Sequence, residues 1–96
     1  MFKELDPILH SQLRLSIISI LMSVDETDFT FVKEETQATS GNLSIQIKKL
    51  QEAGYIKVNK TFKNNYPNTA LSITKKGVKA FEDYVNNLKN YINPGI

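Results

Sequence analysis

Asn42, Ser44, Gln46, Lys48 and Lys49 crowd into one short stretch of this 96-residue chain, with no carboxylate among them. A carboxamide such as Asn42 or Gln46 can pair bidentately with an adenine edge, and a lysine can hold a phosphate. Ile45 lies between them, where it could meet a thymine methyl, and Thr39, Ser40 and Gly41 open the stretch. Side chains of these types at this spacing point to a surface that reads nucleic acid. A second polar and basic group follows: Lys60, Lys63, Asn64, Asn65 and Asn68. It could touch phosphates or the minor groove, but asparagine is also common in plain turns, so alone it decides little.

Other chemistries find no foothold. His10 is the single histidine and cysteine is absent, which removes disulfides and thiolate metal sites. No group of candidate ligands has metal spacing. The serines have no histidine near them in sequence, and no glycine-rich phosphate loop is present. No enzymatic activity, cofactor or metal is expected, and a structural role is expected for His10.

The elements that must position these side chains can be read from periodicity. Leu43, Ile47 and Leu50 recur at four- and three-residue steps, one apolar stripe of a helix over about 40–53. Ile45 lies off that stripe and should be exposed. Thr39 or Ser40 should cap the helix, and Gly54 should end it by taking a left-handed conformation. From Tyr55 the pattern alternates, with Ile56 and Val58 on one face and Lys57 and Asn59 on the other. Leu71 and Ile73 alternate in a returning strand, so a hairpin spans about 55–74. The polar tract from Lys63 to Asn68 reads as a loop longer than a tight turn.

Upstream, Asp6-Pro7 marks a helix start and the pattern predicts a helix over about 7–23. It is apolar on two sides, with Leu9, Leu13, Ile17, Ile20 and Leu21 on one stripe and Ile8, Leu15, Ile18 and Met22 on another. Such a helix is either sandwiched in a large core or covers a partner as well as its own core. In so short a chain a partner is favoured. After a polar break, Phe29 and Thr30 form a short strand edge, then a helix of about two turns runs through Gln37, burying Phe31 or Val32 and Thr36. Thr74 caps a last helix over about 75–92, where Val78, Phe81, Val85, Leu88 and Ile92 make a seam for lengthwise packing. Tyr84 and Tyr91 flank it. The expected twofold interface therefore comprises Ile8, Leu15, Ile18, Met22, Phe81, Tyr84, Val85, Leu88, Tyr91 and Ile92.

Charge is segregated along the chain. Residues 1–35 hold three basic and seven acidic side chains, a net of −4, whereas residues 36–81 hold eight lysines against Glu52 alone, a net of +7. Mixed signs are the norm for a solvated surface, so this asymmetry favours a polyanionic partner. The run Leu13 to Val24 is too short and too polar to span a bilayer. The first residues do not read as a signal peptide. A cytoplasmic protein folding as one domain over 1–96 is expected, without membrane association.

The element order is helix, helix, helix, strand, strand, helix. In this order, Asp6-Pro-Ile-Leu-His10 with Leu13-Arg14-Leu15, Gly41-Asn-Leu-Ser44, Leu50-Gln-Glu-Ala-Gly-Tyr-Ile56, and Leu71-Ser-Ile-Thr-Lys-Lys-Gly77 with Phe81 resemble the winged helix-turn-helix regulators of the MarR/ArsR type. The nearest likeness is to their short winged-helix DNA-binding domain subgroup. The chain departs from the pattern at Glu35, Gln37, Ala38, Tyr66 and Asn68. The resemblance implies a mainly α fold with a small β-hairpin, an α+β winged helix. It further implies a homodimer joined through the first and last helices, with the helix over about 40–53 as recognition helix and the hairpin as wing. A sequence-specific transcriptional repressor on a pseudo-palindromic operator is then the expected function. A protein-interaction module docking an acidic partner is the alternative, and no small-molecule effector can be named.

Overall fold

Leu9, Ile17, Ile18, Leu21, Val32, Leu43, Leu50 and Leu71 lose essentially all contact with solvent, and the elements carrying them must therefore converge. Each such burial stabilises by roughly 1.5–3 kcal/mol. In a computed structural model, which describes residues 2–95, they do so in the order α1 (Gln12–Met22), β1 (Thr27–Asp28), α2 (Phe29–Thr36), α3 (Ser40–Glu52), β2 (Ile56–Lys63), β3 (Tyr66–Ile73) and α4 (Lys75–Ile92). The sheet is antiparallel in the order β1-β3-β2. This is the expected α+β winged helix-turn-helix, with a two-residue third strand on the hairpin.

α1 starts later than the sequence predicts. Asp6 does cap, its carboxylate accepting from the Ile8 N–H at 2.8 Å, but it caps a separate turn over 7–9. The Arg14 guanidinium then donates to the Ile8 carbonyl at 2.6 Å and to the Pro7 carbonyl at 3.4 Å, removing acceptors that a continuous helix would use. Helical geometry resumes only past Ser11, whose carbonyl accepts from the Leu15 N–H.

α1 is also more enclosed than expected. It packs against α2, α3, β3 and α4, so Ile17 and Ile18, from different stripes, are both fully buried. Ile18 therefore belongs to the protomer's own core and cannot face a partner. The same holds for Tyr84, 5% exposed, whose hydroxyl meets His10 Nδ1 at 3.1 Å.

Two further boundaries shift. The short strand is Thr27–Asp28, paired with β3, and Phe29 already opens α2, because Asp28 accepts from the Phe31 N–H at 2.8 Å. Of the alternatives in α2, Val32 is buried whereas Phe31 is 43% exposed. Gln37 is not helical but sits left-handed at φ 58° as the C-cap. The hairpin loop is tight: Lys63 pairs with Tyr66, leaving only Asn64 and Asn65, at φ 53° and 68°. Two successive left-handed residues make the turn whose twist matches a hairpin, and asparagine tolerates that conformation best after glycine.

Candidate nucleic-acid interface

α3 is positioned from both ends. Thr39 Oγ1 accepts from the Asn42 N–H at 3.2 Å, which settles Thr39 as the cap, and Gly54 at φ 81° turns the chain from the helix toward β2. Leu43, Ile47 and Leu50 anchor the buried side. Ser40, Gly41, Asn42, Ser44, Ile45, Lys48 and Lys49 are thereby all exposed, Ile45 by 56%. An isoleucine so exposed among lysines and carboxamides fits a surface that contacts apolar as well as polar groups of a ligand.

The flanks of this surface differ. On one side Ser44 and Lys48 face the hairpin, where they line a cleft of about 430 Å³ with Lys60 and Thr69 above a floor that includes Phe29, Ile47 and Val58. Two lysines and two hydroxyls at one cleft suit a backbone phosphate. On the other side the outward surface ends at Gln46, which is half-buried. Arg14 donates to Gln46 Oε1 at 2.5 Å, and Gln46 Nε2 donates to Asn42 Oδ1 at 3.0 Å. Gln46, expected to pair with adenine, therefore has its amide engaged inside the chain at both ends, and the direct base-reading role assigned to it does not fit this geometry. Arg14 was missed as a site residue because its partner lies 32 positions away.

In the hairpin, Lys60, Lys63, Asn64 and Asn65 are exposed and Asn68 is half-buried. Strand alternation splits them: Lys60 shares the cleft-side face with Val58, whereas Lys63 lies on the opposite face, across from Tyr66. Phe62, unassigned by the sequence reading, is 78% exposed and Tyr66 is 74% exposed. Their exposure follows from a tip that extends beyond the core. Among the described residues none of Lys48, Lys49, Lys60 and Lys63 forms an ion pair, so all four ammonium groups are available to an anion. Lys76, by contrast, lies over the Tyr55 ring at 5.8 Å from its centroid.

Comparison with known proteins agrees with this arrangement. A family described as "winged helix DNA-binding domain" matches residues 13–92, and the chain belongs to that family. It is 33% identical over 78 residues to an uncharacterized protein of Methanocaldococcus jannaschii, covering 81% of this chain and 85% of that one. It superposes with a TM-score of 0.84 on a transcriptional regulator homologue from Pyrococcus horikoshii, at 28% identity, covering 91% of this chain and 86% of the other. The fold is shared as well with a MarR-family transcriptional regulator from Silicibacter pomeroyi, with a TM-score of 0.67, 14% identity and coverage of 93% and 61%. The class is thus a winged-helix DNA-binding domain. No helix among the described residues is long and apolar enough to cross a membrane.

Proposed function

We propose that the chain is a sequence-specific, homodimeric transcriptional repressor that places α3 of each protomer in successive major grooves of a pseudo-palindromic operator. The observation that carries this reading is the outward surface of α3, where Asn42, Ile45, Lys48 and Lys49 are exposed beside the lysine-lined cleft. Asn42 and Ile45 meet base edges, with Ser40 and Gly41 at the helix start and Ser44 on the side of the phosphate cleft. Lys48, Lys49 and Lys60 hold phosphates, and Lys63 with Asn64 and Asn65 extends the contact from the wing. Two such helices related by a twofold axis would lie about 34 Å apart on one face of the duplex. The partner is a second copy, because α4 leaves Ile92 76% and Tyr91 44% exposed beside half-buried Phe81, Val85 and Leu88. Leu15, Ile8 and Met22 complete the remaining apolar surface. A repressor acts here by occupying the site against polymerase, a role that the family likeness favours.

Selection of bound duplexes from a random pool tests the reading. A shared motif with twofold symmetry is the expected result. Retention of acidic proteins without any duplex would instead favour an interaction module. Lysine–phosphate contacts should make affinity fall steeply with salt. Lys49→Ala should weaken binding to cognate and random duplexes alike and make the salt slope shallower by about 1. A loss confined to the cognate sequence would contradict the phosphate role.

A further inference from the structure

We infer that Arg14 and Gln46 are positioning residues that fix which end of the Asn42 amide faces the DNA, and so set its base preference. This rests on the DNA-binding reading above. The argument is one of hydrogen-bond polarity. A guanidinium has only donors. Arg14 is held by the Ile8 and Pro7 carbonyls, and its terminal nitrogen donates to Gln46 at 2.5 Å. The oxygen of the Gln46 amide must therefore face Arg14, and its NH2 must face away. That NH2 donates to the Asn42 oxygen at 3.0 Å. The Asn42 oxygen is thus tied back toward Gln46, and its NH2 is the end left to an incoming ligand on an exposed part of α3.

A displayed NH2 suits acceptors. In the major groove the discriminating edge position is an acceptor on the keto bases, guanine O6 and thymine O4, and a donor on the amino bases, adenine N6 and cytosine N4, while the N7 acceptor is common to both purines. Asn42 accordingly selects a keto base on the strand it contacts, not the bidentate adenine pairing that an unconstrained asparagine makes. The relay begins at Arg14, 28 positions upstream of Asn42 in the first turn of α1, and no contact between Arg14 and DNA is needed.

Gln46→Glu reverses the relay. The ionised carboxylate accepts from Arg14 but cannot donate, so Asn42 must turn its own NH2 inward and display its oxygen. Duplex selection should be run in parallel on wild type, Gln46→Glu and Asn42→Ala, with helix content checked by circular dichroism. Wild type should favour a keto base at one position per half-site by about tenfold, Gln46→Glu should favour an amino base there, and Asn42→Ala should show no preference there. Preference is a ratio within each variant, so the added negative charge, which weakens all duplexes alike, does not mimic the switch. Unchanged selection by folded Gln46→Glu, or unchanged selection by Asn42→Ala, overturns the inference while leaving DNA binding intact. No duplex bound by wild type overturns the DNA-binding reading, and this inference with it.

Discussion

Gly41 shows how a single residue can separate folding from function. It lies in the first turn of α3, where glycine costs the helix roughly 0.5–1 kcal/mol relative to alanine. Nothing inside the fold requires it: its φ is not in the left-handed region, and a Cβ added there would meet no atom within 4 Å. The space is open outward, toward the surface proposed to approach a duplex. Gly41→Ala should therefore raise stability by up to about 0.5–1 kcal/mol in denaturant titration while weakening operator binding in a gel shift. Tighter binding by the variant would show that the glycine is not kept for close approach. Tyr55 has the opposite character. Its hydroxyl donates to Asp6, and burial followed by that hydrogen bond pushes its pKa up from 10.0 to about 12. The fold thus favours the neutral phenol, and this stabilisation is complete below pH 10 and lost as pH rises toward 12. One tyrosine should ionise late in an ultraviolet absorbance titration, and Tyr55→Phe should remove that late step and leave the others in place.

At the scale of elements, the same close approaches decide what the chain tolerates. The first turn of α4 rests on the carbonyl of Tyr55, which accepts from the Thr74 N–H at 3.0 Å, and Thr74 Oγ1 donates to the Gly54 carbonyl at 2.7 Å. A Cβ at Gly77 would overlap that Tyr55 carbonyl and come within 2.8 Å of Ile73. Backbone cannot swing aside as a flexible side chain does. Gly77→Ala should cost about 2–3 kcal/mol, seen as a lower denaturation midpoint with unchanged m-value; a neutral result would mean that α4 does not seat on Tyr55 and Ile73 in this way.

Elements with a strong internal period were legible from the residues alone. Leu43, Ile47 and Leu50 placed α3 to within a residue, and Thr74 placed the start of α4. What could not be read was set by contacts between distant positions. The start of α1 depends on Arg14 taking the Pro7 and Ile8 carbonyls, and the role of Gln46 depends on the same guanidinium. The tight hairpin turn was hidden because the polar tract around it looks like a loop, although Lys63, Tyr66, Pro67 and Asn68 are in fact paired strand residues.

For the whole molecule, the question is what covers α4. α1 is enclosed over most of its length by four elements of its own chain, so on the proposed dimeric reading the α4 seam would carry most of the interface. The molecule is elongated, 58 × 25 × 21 Å, and the last turn of α4 carries Tyr91 and Ile92 out of the core. Exposed apolar surface of this kind is what the proposed dimer would cover. Met22, 37% exposed, lines a groove with Phe81 and Val85, and it joins the end of α1 to that seam. A double variant, Met22→Lys with Ile92→Lys, places charge at two positions the protomer leaves exposed, so the fold itself should survive. Sedimentation should show wild type as a dimer and the variant as a monomer. On a duplex with two half-sites the variant should bind about 10²-fold more weakly, because the second site no longer benefits from being tethered. On a single half-site the two proteins should bind alike, since the α3 surface is untouched. Equal affinity on the full site would mean that one protomer suffices, and a wild type sedimenting as a monomer would remove the twofold arrangement altogether.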